Sequence, residues 1–156
     1  MKTKRLREIV DYDPETGILR WKKRNGNIVG SRHSQGYRET RIEGHRCYVH
    51  RIIWQYVYGS TPKNQIDHIN GDRSDNRLCN LREATQQQNS GNMKIRSNNK
   101  TGIKGVCKSR KGNKWLAYIH LNYKTRYLGT FNNPERAHAA YLNAASKAFS
   151  EFVRSR

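Results

Sequence analysis

The sequence predicts an α+β protein assembled from small modules, and three of its features carry that prediction. Mean hydropathy is -1.06 and 34% of the 156 residues are hydrophobic, so one large core is not expected, while an aromatic content of 10% supplies anchors for small ones. Short runs rich in β-branched and aromatic residues alternate with Gly, Asn and Asp turns along most of the chain. Two stretches, one opening at His50 and one following Asn133, instead place apolar residues at helical spacing. The regularity of these patterns argues against disorder outside linkers.

Taken in order, Leu6, Ile9 and Val10 among basic residues make residues 1–10 a short amphipathic helix at most. Asp13-Pro14-Glu15-Thr16-Gly17 has turn chemistry and leads into a strand over residues 17–22. Residues 36–42 and 46–49 are expected to pair as a hairpin around Glu43-Gly44, with Tyr37, Thr40, Ile42, Tyr48 and Val49 as strand formers. Ile52, Ile53, Tyr56 and Val57 mark a helix over residues 50–58, ended by Gly59 and Pro62. His50 and Arg51 open it and are kept outside the catalytic set. Residues 1–62 thus form a β-rich region with one helix, expected to pack on the module that follows.

Residues 65–92, QIDHINGDRSDNRLCNLREATQQQNSGN, are the place where metal-binding and proton-accepting side chains gather. Asp67 and His68 end a short strand over residues 65–69. Gly71, Asp72, Ser74, Asp75 and Asn76 form a polar loop with turn chemistry. Leu78 and Leu81 bracket Asn80 in a second expected strand, and Thr85 with Gln88 opens a helix by a capping box, with Asn89 on its second turn. Neighbours on a strand point to opposite faces, so a bend or bulge is expected at Asp67-His68 if both are to serve one substrate. Asn80 is expected to tie down the loop through side-chain to backbone hydrogen bonds. The acids of the loop do not follow the spacing of an EF-hand.

This stretch resembles the ββα-metal (His-Me finger) core of HNH endonucleases of the phage homing type, in the pattern DHxxG, then NxxxNL, then a final Asn. The resemblance implies a nuclease core over residues 63–92 in which His68 is the general base, Asn80 the central Asn, and Asp67 and Asn89 the ligands of one divalent metal, Mg²⁺ as first expectation and Mn²⁺ as second. The chemistry agrees. Neutral imidazole accepts a proton near neutral pH, and a hard cation that neutralises phosphoryl charge prefers carboxylate and carbonyl oxygens. The products of such a cut carry 5′-phosphate and 3′-hydroxyl ends.

Beyond it, residues 93–104 read as a basic linker. Between Glu83 and Glu135 no acidic residue occurs, while ten Lys and Arg do. Strands are expected over residues 105–109, 114–122 and 126–131, followed by a helix with Asn133 as N-cap, Pro134 at its first position, and a stripe of Ala137, Ala140, Tyr141, Ala144, Ala145 and Ala148. Alternation turns Ala117, Ile119 and Leu121 toward that helix and Leu116, Tyr118 and His120 away. This run is similar to the APETALA2/ERF DNA-binding domain, which implies a three-stranded antiparallel sheet packed on one helix over residues 105–152. Cys107 and Ser109 stand where that family tends to have arginines, and Tyr127 where it has tryptophan. Phosphate contacts are expected from Lys94, Arg96, Lys100, Lys104, Lys108, Arg110, Lys111, Lys114, Lys124 and Arg126, with Tyr118, His120 and Tyr127 on the binding face.

A formal net charge of +19, from 31 Lys and Arg against 12 Asp and Glu, points to a polyanionic partner. Double-stranded DNA is the expected one. No apolar run reaches membrane-spanning length and no signal peptide or lipidation motif is seen, so no membrane role is expected. Cys47, Cys79 and Cys107, odd in number and far apart, fit a reducing cytoplasm, and the resemblance implies that of a phage-infected bacterium. No small-molecule cofactor is indicated, and neither oligomeric state nor the choice between a nick and a double-strand break is legible. The leading expectation is a metal-dependent DNA endonuclease. A non-catalytic DNA-binding regulator and an RNA-binding accessory protein are the alternatives.

Overall fold

The computed structural model describes residues 2–153 apart from residues 24, 96 and 111. Arg96 and Lys111 of the expected DNA-contacting set therefore lie outside the described residues. The chain is a mixed α/β protein with small sheets, divided into two units, Met1–Ala84 and Thr85–Arg156. The division falls within the stretch that the sequence reading treats as one nuclease core.

In the first unit, α1 (Thr3–Ile9) passes directly into β1 (Val10–Asp13), which pairs antiparallel with β2 (Ile18–Trp21). β1 was not expected. Val10 and Tyr12 alternate inward while Asp11 and Asp13 face solvent, which is the pattern of a half-buried strand. The turn between the strands is the expected one: the Asp13 carboxylate accepts from the Glu15 amide at 3.0 Å and from the Thr16 hydroxyl at 2.6 Å. β3 (Ser31–Arg32), β4 (Arg38–Ile42) and β5 (His45–Tyr48) form a second sheet in the order β3-β4-β5, with Glu43-Gly44 as the two-residue turn of the β4–β5 hairpin. β5 runs without a loop into α2 (Val49–Tyr58), and Gly59 closes that helix in the left-handed conformation. Leu6, Val10, Leu19, Val29, Val49 and Ile53 form the centre of this unit's core.

β6 (Gln65–His68) and β7 (Leu81–Ala84) make a separate antiparallel hairpin. Leu78–Asn80 is a 3-10 turn, so Asn80 precedes the second strand and is not part of it. The Asn80 amide donates to Arg77 O at 2.9 Å, the i to i+3 bond that defines such a turn.

The second unit begins with α3 (Gln86–Asn92), opened by the expected capping box: Gln88 N to Thr85 Oγ1 at 3.2 Å and Thr85 N to Gln88 Oε1 at 2.8 Å. β8 (Val106–Lys108), β9 (Trp115–Leu121) and β10 (Lys124–Phe131) form an antiparallel sheet with β9 in the middle, and α4 (Pro134–Phe149) packs on it. Ala117 and Ile119 are buried under α4, whose Ala137, Tyr141, Ala145 and Phe149 make an inward i, i+4 row. At Gly105 an added Cβ would lie 2.0 Å from the Tyr141 ring, so the chain entering β8 passes closer to α4 than any side chain allows. The segment before β8 carries hydrogen bonds of its own: Asn99 Oδ1 accepts from the Thr101 and Gly102 amides, and the Thr101 hydroxyl donates to Val106 O at 2.9 Å.

Candidate active site

The β6–β7 hairpin presents Asp67 and His68 at the end of its first strand, with exposures of 5% and 4%. The ladder runs in unbroken register, Asp67 opposite Arg82 and His68 opposite Leu81, so the bulge expected from the sequence is absent. Strand alternation gives the two side chains different surroundings. The Asp67 carboxylate receives the Arg82 guanidinium, Nε to Oδ2, at 2.9 Å. His68 instead meets Asn76, with Nε2 and Oδ1 3.2 Å apart, and the rings of Tyr37 and His50, centroids at 5.8 and 5.1 Å.

That contact with Asn76 fixes the tautomer. A carboxamide oxygen only accepts, so Nε2 carries the proton and the lone pair of the neutral ring lies on Nδ1. Burial lowers the pKa of His68 below its ordinary value, against the opposing effects of the Asn76 bond and the Asp67, Asp72 and Asp75 carboxylates. The ring is therefore neutral at neutral pH, the form a general base requires. His50, 6% exposed and stacked on Tyr48 at 5.5 Å, is held at about 3 by burial first and then by His68 and Arg51. It adds no positive charge beside the base.

Asn76 is held from behind. Its carbonyl accepts from the Tyr12 hydroxyl at 2.9 Å, and the turn before β2 lies against the same segment. A Cβ at Gly17, where φ is +71°, would stand 2.4 Å from Arg77 N and 2.6 Å from Asn76 C. Asn80 ties the loop at its other end: its Oδ1 accepts from the Asn70 amide at 2.9 Å and its Nδ2 donates to Asp75 O at 2.8 Å. Asp75 is pushed down to about 2, chiefly by hydrogen bonding to Arg77, with Nη2 and Oδ2 2.7 Å apart. Asp72 is also lowered, by the amide and hydroxyl of Ser74. Both carboxylates are thereby occupied within the loop.

Asn89, the fourth expected residue, is on α3 in the second unit, where its amide donates to Thr85 O at 2.9 Å. Among the described residues no group of three or more His, Cys, Asp and Glu could hold a metal ion. Of the expected DNA-contacting residues, Lys94, Lys100, Lys108, Arg110, Lys114, Lys124, Arg126, His120 and Tyr127 are exposed and Tyr118 is half-buried. The Lys104 ammonium is engaged by two carbonyls, Gly91 O and Met93 O, each at 2.7 Å, and the Lys114 ammonium by Asn132 Oδ1 at 2.5 Å. Among the described residues no helix is long and apolar enough to cross a membrane.

Sequence reasoning missed Asn76, Tyr37 and Arg82 and set His50 aside. Asn76 sits in a run of turn formers and reads as one of them, although it is the first letter of the NxxxNL pattern and could have been found there. Tyr37 lies just before β4 and His50 on α2, and only the fold brings their rings to His68.

Comparison with known proteins bears on the same stretch. Residues 47–90 match a family described as HNH endonuclease. Protein 3.8 of Escherichia phage T7 is 39% identical over 71 residues, which cover 45% of this chain and 59% of that protein. An uncharacterized HNH endonuclease of Acanthamoeba polyphaga mimivirus is 33% identical over 110 residues, 69% of this chain and 56% of its own length. The chain thus spans less than two thirds of either relative. No solved structure matches it. The matched stretch contains β6, β7 and the whole loop between them, so Asp67, His68, Asn76 and Asn80 all lie within the region of similarity to HNH endonucleases.

Proposed function

We propose that this protein is a DNA endonuclease of the HNH type, hydrolysing phosphodiester bonds with His68 as general base. The observation that carries the reading is the neutral, buried His68 ring, oriented by Asn76 and adjacent in sequence to Asp67. Nδ1 takes a proton from a water, and the resulting hydroxide attacks phosphorus in line, displacing the 3′ oxygen. Asn76 holds the ring in the tautomer this needs. Asn80 holds the loop that carries Asn76.

A divalent metal would be held by the Asp67 carboxylate, which must exchange Arg82 for the ion and turn to the His68 side of β6 to serve the same phosphate, and by the Asn89 carboxamide that the resemblance adds; Mg²⁺ commonly takes one or two protein oxygens with waters and phosphate oxygens completing its shell. When bound, such an ion neutralises charge on the phosphoryl and leaving oxygens. Mn²⁺ is the second choice. The basic second unit, a three-stranded sheet on one helix as in the APETALA2/ERF domains it resembles, is assigned to holding DNA through Lys and Arg contacts to phosphates. A phage homing role is consistent with the viral relatives.

The test is supercoiled plasmid incubated with Mg²⁺, with Mn²⁺ and with chelator, alongside His68→Ala. Metal-dependent relaxed or linear product that disappears in the variant, with plasmid binding retained, is the expected result. Binding without cutting under every condition would replace this reading with that of a DNA-binding regulator.

A further inference from the structure

The outer face of the C-terminal sheet differs in chemistry from a surface that reads duplex edges. Register places Tyr127 of β10 opposite Tyr118 of β9, Thr125 opposite His120, and Cys107 of β8 opposite Leu116. All six stand on the face away from α4, since Ala117 and Ile119 alternate with them inward. Reading bases in the major groove calls for forked or amide donors such as Arg, Lys, Asn and Gln. None of these six positions holds one, and His120 and Thr125 are paired with each other at 3.2 Å. The face instead offers aromatic rings. Tyr118 and Tyr127 lie 5.4 Å apart between centroids, and Tyr127 is 57% exposed.

A groove of about 870 Å³ is lined by β8, by Tyr118 and His120 of this face and by Lys94, Lys100 and Lys108, with Ile119, Tyr141 and Phe149 supplying its apolar part. The three lysines are exposed. In the whole second unit the acidic residues are Glu135 and Glu151 alone, both on or after α4. Aromatic rings beside a basic channel suit an unpaired strand, because every base has a face to stack and the backbone needs only cations.

We infer that the groove and the Tyr118–Tyr127 face bind an unpaired stretch of DNA, the rings stacking on bases and Lys94, Lys100 and Lys108 following the phosphates. The inference rests on DNA as the substrate in the proposed function and adds that the second unit selects locally opened DNA over paired duplex.

The full-length protein, held in chelator so that nothing is cut, is titrated against three labelled probes by fluorescence anisotropy: a fully paired duplex, the same duplex with a central run of unpaired thymines, and single-stranded RNA of uridines. The opened duplex should bind about tenfold tighter than the paired one. Tyr127→Ala should erase most of that preference and Tyr127→Phe should keep it, since the ring and not the hydroxyl stacks. Lys108→Ala should weaken the opened duplex more than the paired one, since its phosphate contact is to the unpaired strand. Equal affinity for paired and opened duplex overturns the inference, as does an equal loss on both probes in Tyr127→Ala. Tighter binding to the RNA than to opened DNA assigns the groove to RNA instead. Failure here leaves metal-dependent plasmid cutting untouched, and failure of cutting leaves this binding comparison intact.

Discussion

Exchanging His50 for Phe removes the titration of one buried ring and keeps a ring where the first unit packs one. His50 is stacked on Tyr48 with planes 11° apart and meets His68 edge-on at 5.1 Å, contacts a phenyl group can repeat. Folding holds its pKa at about 3, chiefly by burial, where the ordinary value is 6.5. The folded pKa lies below the unfolded one, so stability is fully present above about pH 6.5 and is lost as pH falls toward the folded value. At pH 7 roughly a quarter of unfolded chains carry the proton, and at pH 5 nearly all do, while the folded ring stays neutral at both. Integrated over that interval, the loss is roughly 2 kcal/mol. Urea unfolding at the two pH values, with m unchanged, should show the wild type losing about 2 kcal/mol more than His50→Phe. Protonation of His68 and of the surface acids affects both proteins and largely cancels in the comparison. Equal losses would mean that His50 charges as readily when folded as when unfolded, and the account of a neutral neighbour for the base would fail.

The remaining predictions concern the path that holds Asn76. Cutting should rise with pH along a limb centred below the ordinary 6.5, because burial lowers His68 and its neutral form is the active one; a limb centred above that value would count against His68 as the base. Asn76→Ala should slow cutting on the order of 10²-fold by releasing the ring from its tautomer and aim, and should move the same limb to still lower pH, since the Asn76 bond opposes the effect of burial. Rates and profiles like those of the wild type would remove Asn76 from the site. Gly17→Ala combines a φ of +71° with a Cβ 2.4 Å from a backbone nitrogen, and should cost more than about 1 kcal/mol in thermal or urea unfolding. Cutting should fall with it, because the displaced backbone is that of Asn76 and Arg77.

Where the chain specifies structure through neighbours, the sequence was enough. Thr85 with Gln88, Asn133 before Pro134, Glu43-Gly44 and Gly59 each act within four residues, and each is found doing what its chemistry predicts. Two local readings went astray for identifiable reasons. Val10 reads as part of an amphipathic helix with Leu6 and Ile9, although Val10 and Tyr12 also alternate with acids at the period of a strand. Leu78 and Leu81 read as strand residues around Asn80, although a spacing of three is also that of a 3-10 turn, in which i and i+3 fall in line.

The candidate site divides along the same boundary between local and distant. Asp67 and His68 could be singled out because they adjoin one another in a recognisable pattern, and Asn80 because its side-chain bonds go to nearby loop residues, Asn70 and Asp75. What makes His68 a base is not local. Its tautomer depends on Asn76, eight residues on; Asn76 depends on Tyr12, 64 residues before it; and the neutrality of the ring depends on burial beneath Tyr37, from the loop before β4, and His50, from α2. Residue types announce which chemistry is available, but proton affinity is set by desolvation and by contacts that only tertiary packing creates. The NxxxNL pattern marks Asn76 but not what it touches, and a His at the start of a helix carries no mark at all, so the task of each becomes legible only when the β6–β7 hairpin is seen against the rest of its unit.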